Sequence, residues 1–368
     1  MNELIHKSSW NRSALSADWL LIAIPGLIWG ASFLFIAEGL KAIGPNGITF
    51  VRLFIGFATL AMFPAARKPV ERAAWGRIAL VGVFWFAFPL SMFPFAEQRV
   101  SSALTGMLNA AVPLFTGVVA TAIARRVPER RVIAGLAIGL MGAGLVAWPA
   151  IHEGHSSVSG VLLILAAVVS YGFALNLARP LQQRYGALPV ILRAQIVAVI
   201  LTAPLGVTDV FAARWTPAPL LSLLMLGAFG TGVAFVSLAT AAGRAGATRA
   251  SSAAFLIPAV ALLLGIIVRG ENVAKLSIFG SVVCVAGAWF MRRAQSSPER
   301  DVKLSPSPGL VTRGCESCQG PSDSSKCGAS QHPTNSRPRY REILHCAWLS
   351  LSLSFWEEIC VAYSGLVL

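Results

Sequence analysis

Charge is what this sequence has least of. Of 368 residues only 16 are Asp or Glu, and all charged residues together make up 12%. An ordinary soluble domain carries about 25%. Hydrophobic residues reach 55%. A soluble fold of this size cannot cover its surface with so few charges, so the composition runs against both a soluble enzyme and a disordered chain. Catalytic patterns are missing too. The sequence has no His-Glu-x-x-His, no Gly-x-Ser-x-Gly and no paired acids inside its apolar runs, the arrangements that metal-assisted or nucleophilic hydrolysis needs. His6, His152, His155, His332 and His345 all fall outside those runs, and His152 and His155 read as one solvated loop. An enzyme is therefore not expected, no residue is assigned a catalytic role, and no cofactor or metal is implied.

Cysteine is scarce and unevenly placed. Of the 6 present, Cys315, Cys318, Cys327, Cys346 and Cys360 lie beyond residue 294. Cys315-x-x-Cys318 with Cys327 and His332 offers zinc-ligand types, but the spacing fits no zinc module. Residues 294–368 are rich in Ser, Pro and Gly as far as Arg339, which reads as a disordered cytoplasmic tail with reduced thiols. Its apolar run Cys346–Trp356 is too short to span a bilayer and is followed by Glu357 and Glu358.

What the chain does have is long apolar runs. A membrane helix needs about 20 mostly apolar residues to cross about 30 Å of hydrocarbon. Ten windows qualify: Trp19–Glu38, Asn46–Ala65, Ile78–Phe95, Leu104–Ala124, Val132–Pro149, Val158–Leu177, Leu188–Val207, Leu220–Ala242, Ser252–Val268 and Leu276–Met291. The first is too long, and has too many successors, for a cleaved signal peptide. The expected fold is thus an all-α membrane protein with ten transmembrane helices. Its partners are a lipid bilayer and a small-molecule substrate, and a homodimer stays open.

Basic residues set the orientation, because positive loops stay in the cytoplasm. With the N-terminus inside, the cytoplasmic face collects Lys7, Arg12, Arg67, Lys68, Arg72, Arg77, Arg125, Arg126, Arg130, Arg131, Arg179, Arg184, Arg244, Arg249, Arg292 and Arg293. The outer face receives Lys41, Arg99, Arg214, Arg269 and Lys275. Both termini are expected in the cytoplasm, and the net charge of +14 reflects anionic headgroups, not nucleic acid.

The chain also resembles itself. A shift of 145 residues aligns Gly82 with Gly227, Phe84 with Phe229, Arg99 with Arg244, Pro113 with Pro258, Gly135 with Gly280 and Gly142 with Gly287. Trp29-Gly30 meets Tyr171-Gly172 once three residues are skipped. The implied layout is a cytoplasmic segment 1–18, five-helix repeats at 19–150 and 151–293, and the tail 294–368. Five crossings are odd, so the second copy starts on the opposite face and the repeats are inverted. Inverted repeats place a site at their interface near the midplane, and rocking opens it to each side in turn. A transporter needs this; a non-transporting sensor or scaffold, or an intramembrane enzyme, does not.

A family resemblance appears at these residues. Gly26-Leu-Ile-Trp29-Gly30-Ala-Ser-Phe33 resembles the first-helix motif of the drug/metabolite transporter superfamily, EamA-like branch. Pro45 to Arg52 is similar to the opening of that family's second helix. Gly246-Ala-Thr-Arg-Ala-Ser251, Pro258, Leu264-Gly265 and Glu271 resemble its stretch from the eighth helix into the tenth. The resemblance covers residues 19–292. It implies ten helices in two inverted repeats that move small metabolites or drugs across the bacterial inner membrane, often outward. In one respect the chain departs from the pattern. Where the second half has Glu271, the first has Arg126, with Glu129 three residues further on; Glu129 reads as a loop anchor.

Polar groups inside apolar spans mark candidate sites, because without water each must find a partner. Arg52 and Arg193 lie at similar depth in the second and seventh spans. They read as cationic groups at the two mouths of a central cavity, or as side chains that snorkel to headgroups. Asn109, Asn176 and Gln195 bind substrate or bond neighbouring helices. Trp29 and Tyr171 line the site or face lipid. Pro113 and Pro258 each remove a helix hydrogen bond at matching places and read as hinges. Glu38 and Glu97, near span ends, are candidates for proton coupling, with a solvated position weighed above it. Gly26-x-x-x-Gly30 and Gly135-x-x-x-Gly139 permit close helix contact, and the glycine cluster Gly227–Gly232 reads as packing, not a nucleotide loop.

Overall fold

The structure, a computed structural model, describes residues 12–125, 129–152, 157–245 and 251–295. The sequence readings on Arg126, Arg249, His155, the 246–250 motif and the cysteine tail lie outside them. Every regular element among the described residues is helical. We number the segments α1 Arg12–Gly39, α2 Pro45–Ala61, α3 Arg72–Glu97, α4 Ser102–Ala124, α5 Arg130–His152, α6 Val158–Tyr185, α7 Ala187–Ala212, α8 Pro217–Ala242, α9 Ala253–Arg269 and α10 Lys275–Gln295. One overlaps each apolar window. Seven are long and apolar enough to cross a membrane; α2, α9 and the apolar part of α10, Lys275–Met291, are shorter.

Local chemistry explains the breaks between segments. Pro45 occupies the first turn of α2, where its missing N–H costs nothing. Ser101 and Ser157 accept from Leu104 N–H and Ser159 N–H and so cap α4 and α6. Gly186 (φ +85°) turns the chain from α6 into α7 within one residue, and Gly270 (φ +65°) ends α9 in the left-handed conformation that favours glycine.

Side chains sort as a bilayer demands. Ile36, Ile48, Leu53, Phe86, Leu114 and Ile164 are fully buried inside the bundle, while Met141, Trp148, Phe211, Phe279 and Val282 stand more than half exposed on its outside. In water so many exposed large apolar residues would aggregate; in hydrocarbon they are solvated.

The connections gather at two ends. At one, Glu271 meets the start of α4, Arg214 N–H donates to Ala42 O, and Gly47 N–H donates to Asp209. At the other, Glu71 pairs with Arg184 and Arg193 reaches the carbonyl of Lys68. We call these the Glu271 end and the Glu71 end.

Packing repeats across the chain. The most extensive helix contact is α5 against α10, and small residues make it. A Cβ on Gly135 would stand 3.0 Å from the carbonyl of Gly287, and one on Gly142 2.7 Å from that of Gly280; the reverse distances are both 2.8 Å. Matching glycines also join α3 to α7 and α8 to α2. Gly82 abuts Ala194 O and Val197, and Gly227 abuts Arg52 O and Ile55.

Two irregularities also recur. A π-helical stretch interrupts α3 at Gly82–Ala87 and α8 at Leu226–Val233. A 3-10 turn, Asn109–Ala111 in α4 and Ser251–Phe255 at the start of α9, precedes each singled-out proline. Pro113 therefore sits in the first turn after a break instead of kinking a continuous helix.

Candidate functional site

The expected site residues separate into two groups. Trp29, Arg52, Asn109 and Tyr171 come together on one cavity of about 210 Å³. Asn176, Arg193 and Gln195 do not line it. Asn176 Nδ2 donates to Thr116 O (2.9 Å) and Gly172 O (2.8 Å), bonding α6 to α4. Arg193 donates to Pro189 O (3.0 Å) and Lys68 O (2.8 Å) at the Glu71 end, so its guanidinium serves backbone carbonyls. Gln195 stands behind the wall, where Nε2 donates to Thr231 O at 2.8 Å.

Arg52 is the chemical centre. It projects from α2 and is only 6% exposed. Its Nε donates to Thr231 Oγ1 at 2.9 Å, on the π-helical stretch of α8. Among the described residues no carboxylate lies within ion-pair distance of it. A guanidinium has five N–H donors, and one is spent on Thr231. The group borders the cavity, next to Gly230. The buried carboxylate of Glu97 acts on this cation only from beyond ion-pair distance. Burying a cation without a close partner is costly, and an anionic ligand group would supply one.

Aromatic rings surround it. Phe235 packs against Trp29, Trp85 and Phe86 at centroid distances of 5.4, 5.7 and 5.4 Å. Trp29 Nε1 donates to the Gly230 carbonyl (2.9 Å), an acceptor within the same π-helical stretch. Towards the Glu271 end the cavity is roofed: Phe33 meets Phe93 edge-on at 5.5 Å, and Phe93 meets Tyr171 at 6.0 Å. Towards the Glu71 end the lining continues to Leu238, Ala253 and Ala254.

Sequence reasoning missed Trp85, Phe86, Phe93, Phe235 and Thr231. The run Phe84-Trp85-Phe86 was a signal of sorts. Thr231 lay inside the glycine cluster read as packing; Gly227 and Gly232 do pack there, on Ile55 and Thr59. The acids also differ from expectation. Glu38 pairs with Lys41 at 2.6 Å, but both carboxylate oxygens of Glu97 are buried with no hydrogen-bond partner in the structure. Next to it in the chain, Val100, Arg99 and Ala96 pack on the Gly160 backbone of α6.

Comparison with known proteins agrees with this architecture. The sequence model of the EamA-like transporter family matches twice, at residues 18–148 and 158–293. A "Probable terminal-alkyne amino-acid exporter" of Streptantibioticus cattleyicolor is 26% identical over 290 residues, covering 77% of this chain and 96% of its own. A "Probable amino-acid metabolite efflux pump" of Salmonella typhimurium is 23% identical over 286 residues, with coverages of 74% and 93%. An "Uncharacterized inner membrane transporter YedA" of Escherichia coli K12 is 26% identical over 262 residues, with coverages of 68% and 82%. A solved crystal structure aligns with 77% of this chain and 99% of its own at TM-score 0.54 and 18% identity, a likeness of fold alone. With apolar helices, a lipid-adapted exterior and a family match over both halves, this chain belongs to the EamA-like transporter family and is a multi-pass membrane transporter.

Proposed function

We propose that the protein exports a small amphipathic carboxylate, of the size and kind of a single amino acid, across the bacterial inner membrane. One observation carries this reading: Arg52 borders an aromatic cavity with no carboxylate within ion-pair distance among the described residues. A substrate carboxylate would take the free guanidinium donors in a charge-assisted fork. Its apolar body would pack on Trp85 and Phe235, and an ammonium group would be attracted to the aromatic faces. Asn109 and Tyr171 add polar contacts. About 210 Å³ is below the roughly 300–1,000 Å³ typical of sites for drug-sized ligands, which favours a single amino acid over a multi-ring compound. The amino-acid terms in the names of two relatives point the same way.

In this reading all ten segments span, as two inverted five-helix repeats, 19–150 and 151–293, that rock about the cavity. The reciprocal glycine contacts, the paired π-helical stretches and the double family match support it. The basic residues put the Glu71 end and both termini in the cytoplasm, so the cavity extends toward the source of an exported solute. Pro113 and Pro258, each beside a 3-10 break, are the hinges. The protein performs no chemistry on what it carries, and lipid bathes its outer face.

The substrate class is tested by loading cells that express or lack the protein with leucine or phenylalanine, with the corresponding decarboxylated amines, or with the amides. Faster efflux of the amino acids than of either analogue is expected. Equal stimulation of amine and amino acid would remove Arg52 from the account.

A further inference from the structure

Glu271 ties the two halves together at a place the substrate contacts do not use. It follows α9, and its side chain is 11% exposed. Its carboxylate accepts four hydrogen bonds. Ser102 N–H (3.1 Å), Ser102 Oγ–H (2.7 Å) and Arg269 Nε–H (2.9 Å) donate to Oε1, and Ala103 N–H (2.9 Å) donates to Oε2. Two of these donors are N–H groups in the first turn of α4, which no helical carbonyl can satisfy, and a negative charge there also meets the positive end of the helix dipole. The bond therefore joins residues 169 positions apart through donors that would otherwise stand unpaired.

Beneath this cap the helices are sealed. A Cβ on Gly265 would stand 2.7 Å from both Ala103 Cβ and Glu271 Oε2. One turn deeper, Gly106 leaves no room between Ala261 and the ring of Phe33. Phe33 is itself part of the aromatic roof over the cavity. A continuous line of contacts thus runs from the Glu271 carboxylate through the start of α4 to the roof above Arg52.

We infer that Glu271 is a positioning residue for transport: its carboxylate, clamped on the first turn of α4, locks the Glu271 end of the cavity shut and lets go when that end opens. The inference deepens the alternating-access reading and rests on it. The position 145 residues earlier is Arg126, with Glu129 three residues further on, so no carboxylate stands at the matching sequence position of the first half. In the state shown here the clamp is formed and the Glu271 end is closed.

The test is accessibility. Leu90 lines the cavity below the roof and is 5% exposed. In a cysteine-free full-length protein in liposomes, Leu90→Cys is labelled with a membrane-impermeant maleimide added on the side the Glu271 end faces. Slow labelling is expected in the parent. Glu271→Gln loses the charge and turns one acceptor oxygen into an NH2 donor that faces an N–H of α4; it should label about tenfold faster. Glu271→Asp should bring the rate back to within about threefold of the parent. Ser102→Ala removes one bond and keeps the helix; it should label about threefold faster, and it decides the matter if Glu271→Gln does not yield monodisperse protein. Labelling of the folded variants at the parent rate would overturn the lock. Faster labelling in a protein that carries no solute would leave the lock standing and remove the transport reading.

Discussion

Arg52→Ala is expected to reduce transport of a carboxylate substrate by about a hundredfold in proteoliposomes at unchanged protein levels. The magnitude follows from burial. Arg52 is 6% exposed, and truncating one partner of a buried, hydrogen-bonded charge pair costs 2–5 kcal/mol, where each 1.4 kcal/mol is a factor of ten. The loss should be selective. Uptake of the matching amide, which never formed the charged fork, should fall by no more than about threefold. Arg52→Lys keeps the charge but loses the planar fork and the Nε donor to Thr231, so about a tenfold loss is expected. Initial rates for acid and amide across the three proteins check this. Full activity in Arg52→Ala, or equal losses for acid and amide, would show that the arginine is structural. Arg193→Ala is the internal comparison. Its guanidinium is held by carbonyls at the Glu71 end, and the acid-over-amide preference should survive its removal.

The second large effect concerns the α5–α10 seam. Gly142→Val is expected to destabilise the protein by at least about 3 kcal/mol, seen as lost monodisperse protein and a lower melting temperature in detergent. Its new Cβ would run into the backbone of Cys284 and Gly280. Backbone cannot rotate away as a flexible side chain can, and overpacking costs 1–3 kcal/mol even where neighbours adjust. Gly287→Val should behave alike, because its Cβ would strike the backbone of Gly139 and Gly135. Gly144 lies on the same helix with nothing within 4 Å of its would-be Cβ. There Gly144→Ala should be neutral or stabilising by up to about 1 kcal/mol, from helix propensity alone. Equal tolerance at positions 142 and 144 would mean that the close seam is not present in the folded protein.

These expectations also mark how far the sequence could be read. Helices were legible because hydrocarbon forces every backbone group into internal bonds, and apolar runs of that length have few other uses. The resemblance between halves was legible because prolines and glycines record backbone geometry, and the reciprocal contacts of Gly135, Gly142, Gly280 and Gly287 lie where the 145-residue shift pairs them. Arg52 stood out through the cost of burying a charge. Rotation about a helix axis was not legible. Arg52 and Arg193 look alike in sequence, each several residues into a span, yet one borders the cavity and the other reaches loop carbonyls. Hydropathy says that a residue is buried, not which neighbour it meets. For the same reason the aromatic wall around Phe235 and the clamp of Glu271 on Ser102 were hidden, since both depend on partners far along the chain. The π-helical stretches that bring Thr231 to Arg52 leave no hydropathy signature either.

The central claim is that one cavity between the two halves carries solute by opening to each side in turn. Counterflow tests it most directly: liposomes bearing the purified protein are filled with unlabelled leucine or phenylalanine and diluted into a trace of the labelled form. The account predicts a transient, saturable accumulation of label above its equilibrium level, as exchange through a single alternating site requires. Label that only equilibrates, without overshoot or saturation, would contradict it, as would vesicles indistinguishable from those without protein across a panel of amino acids.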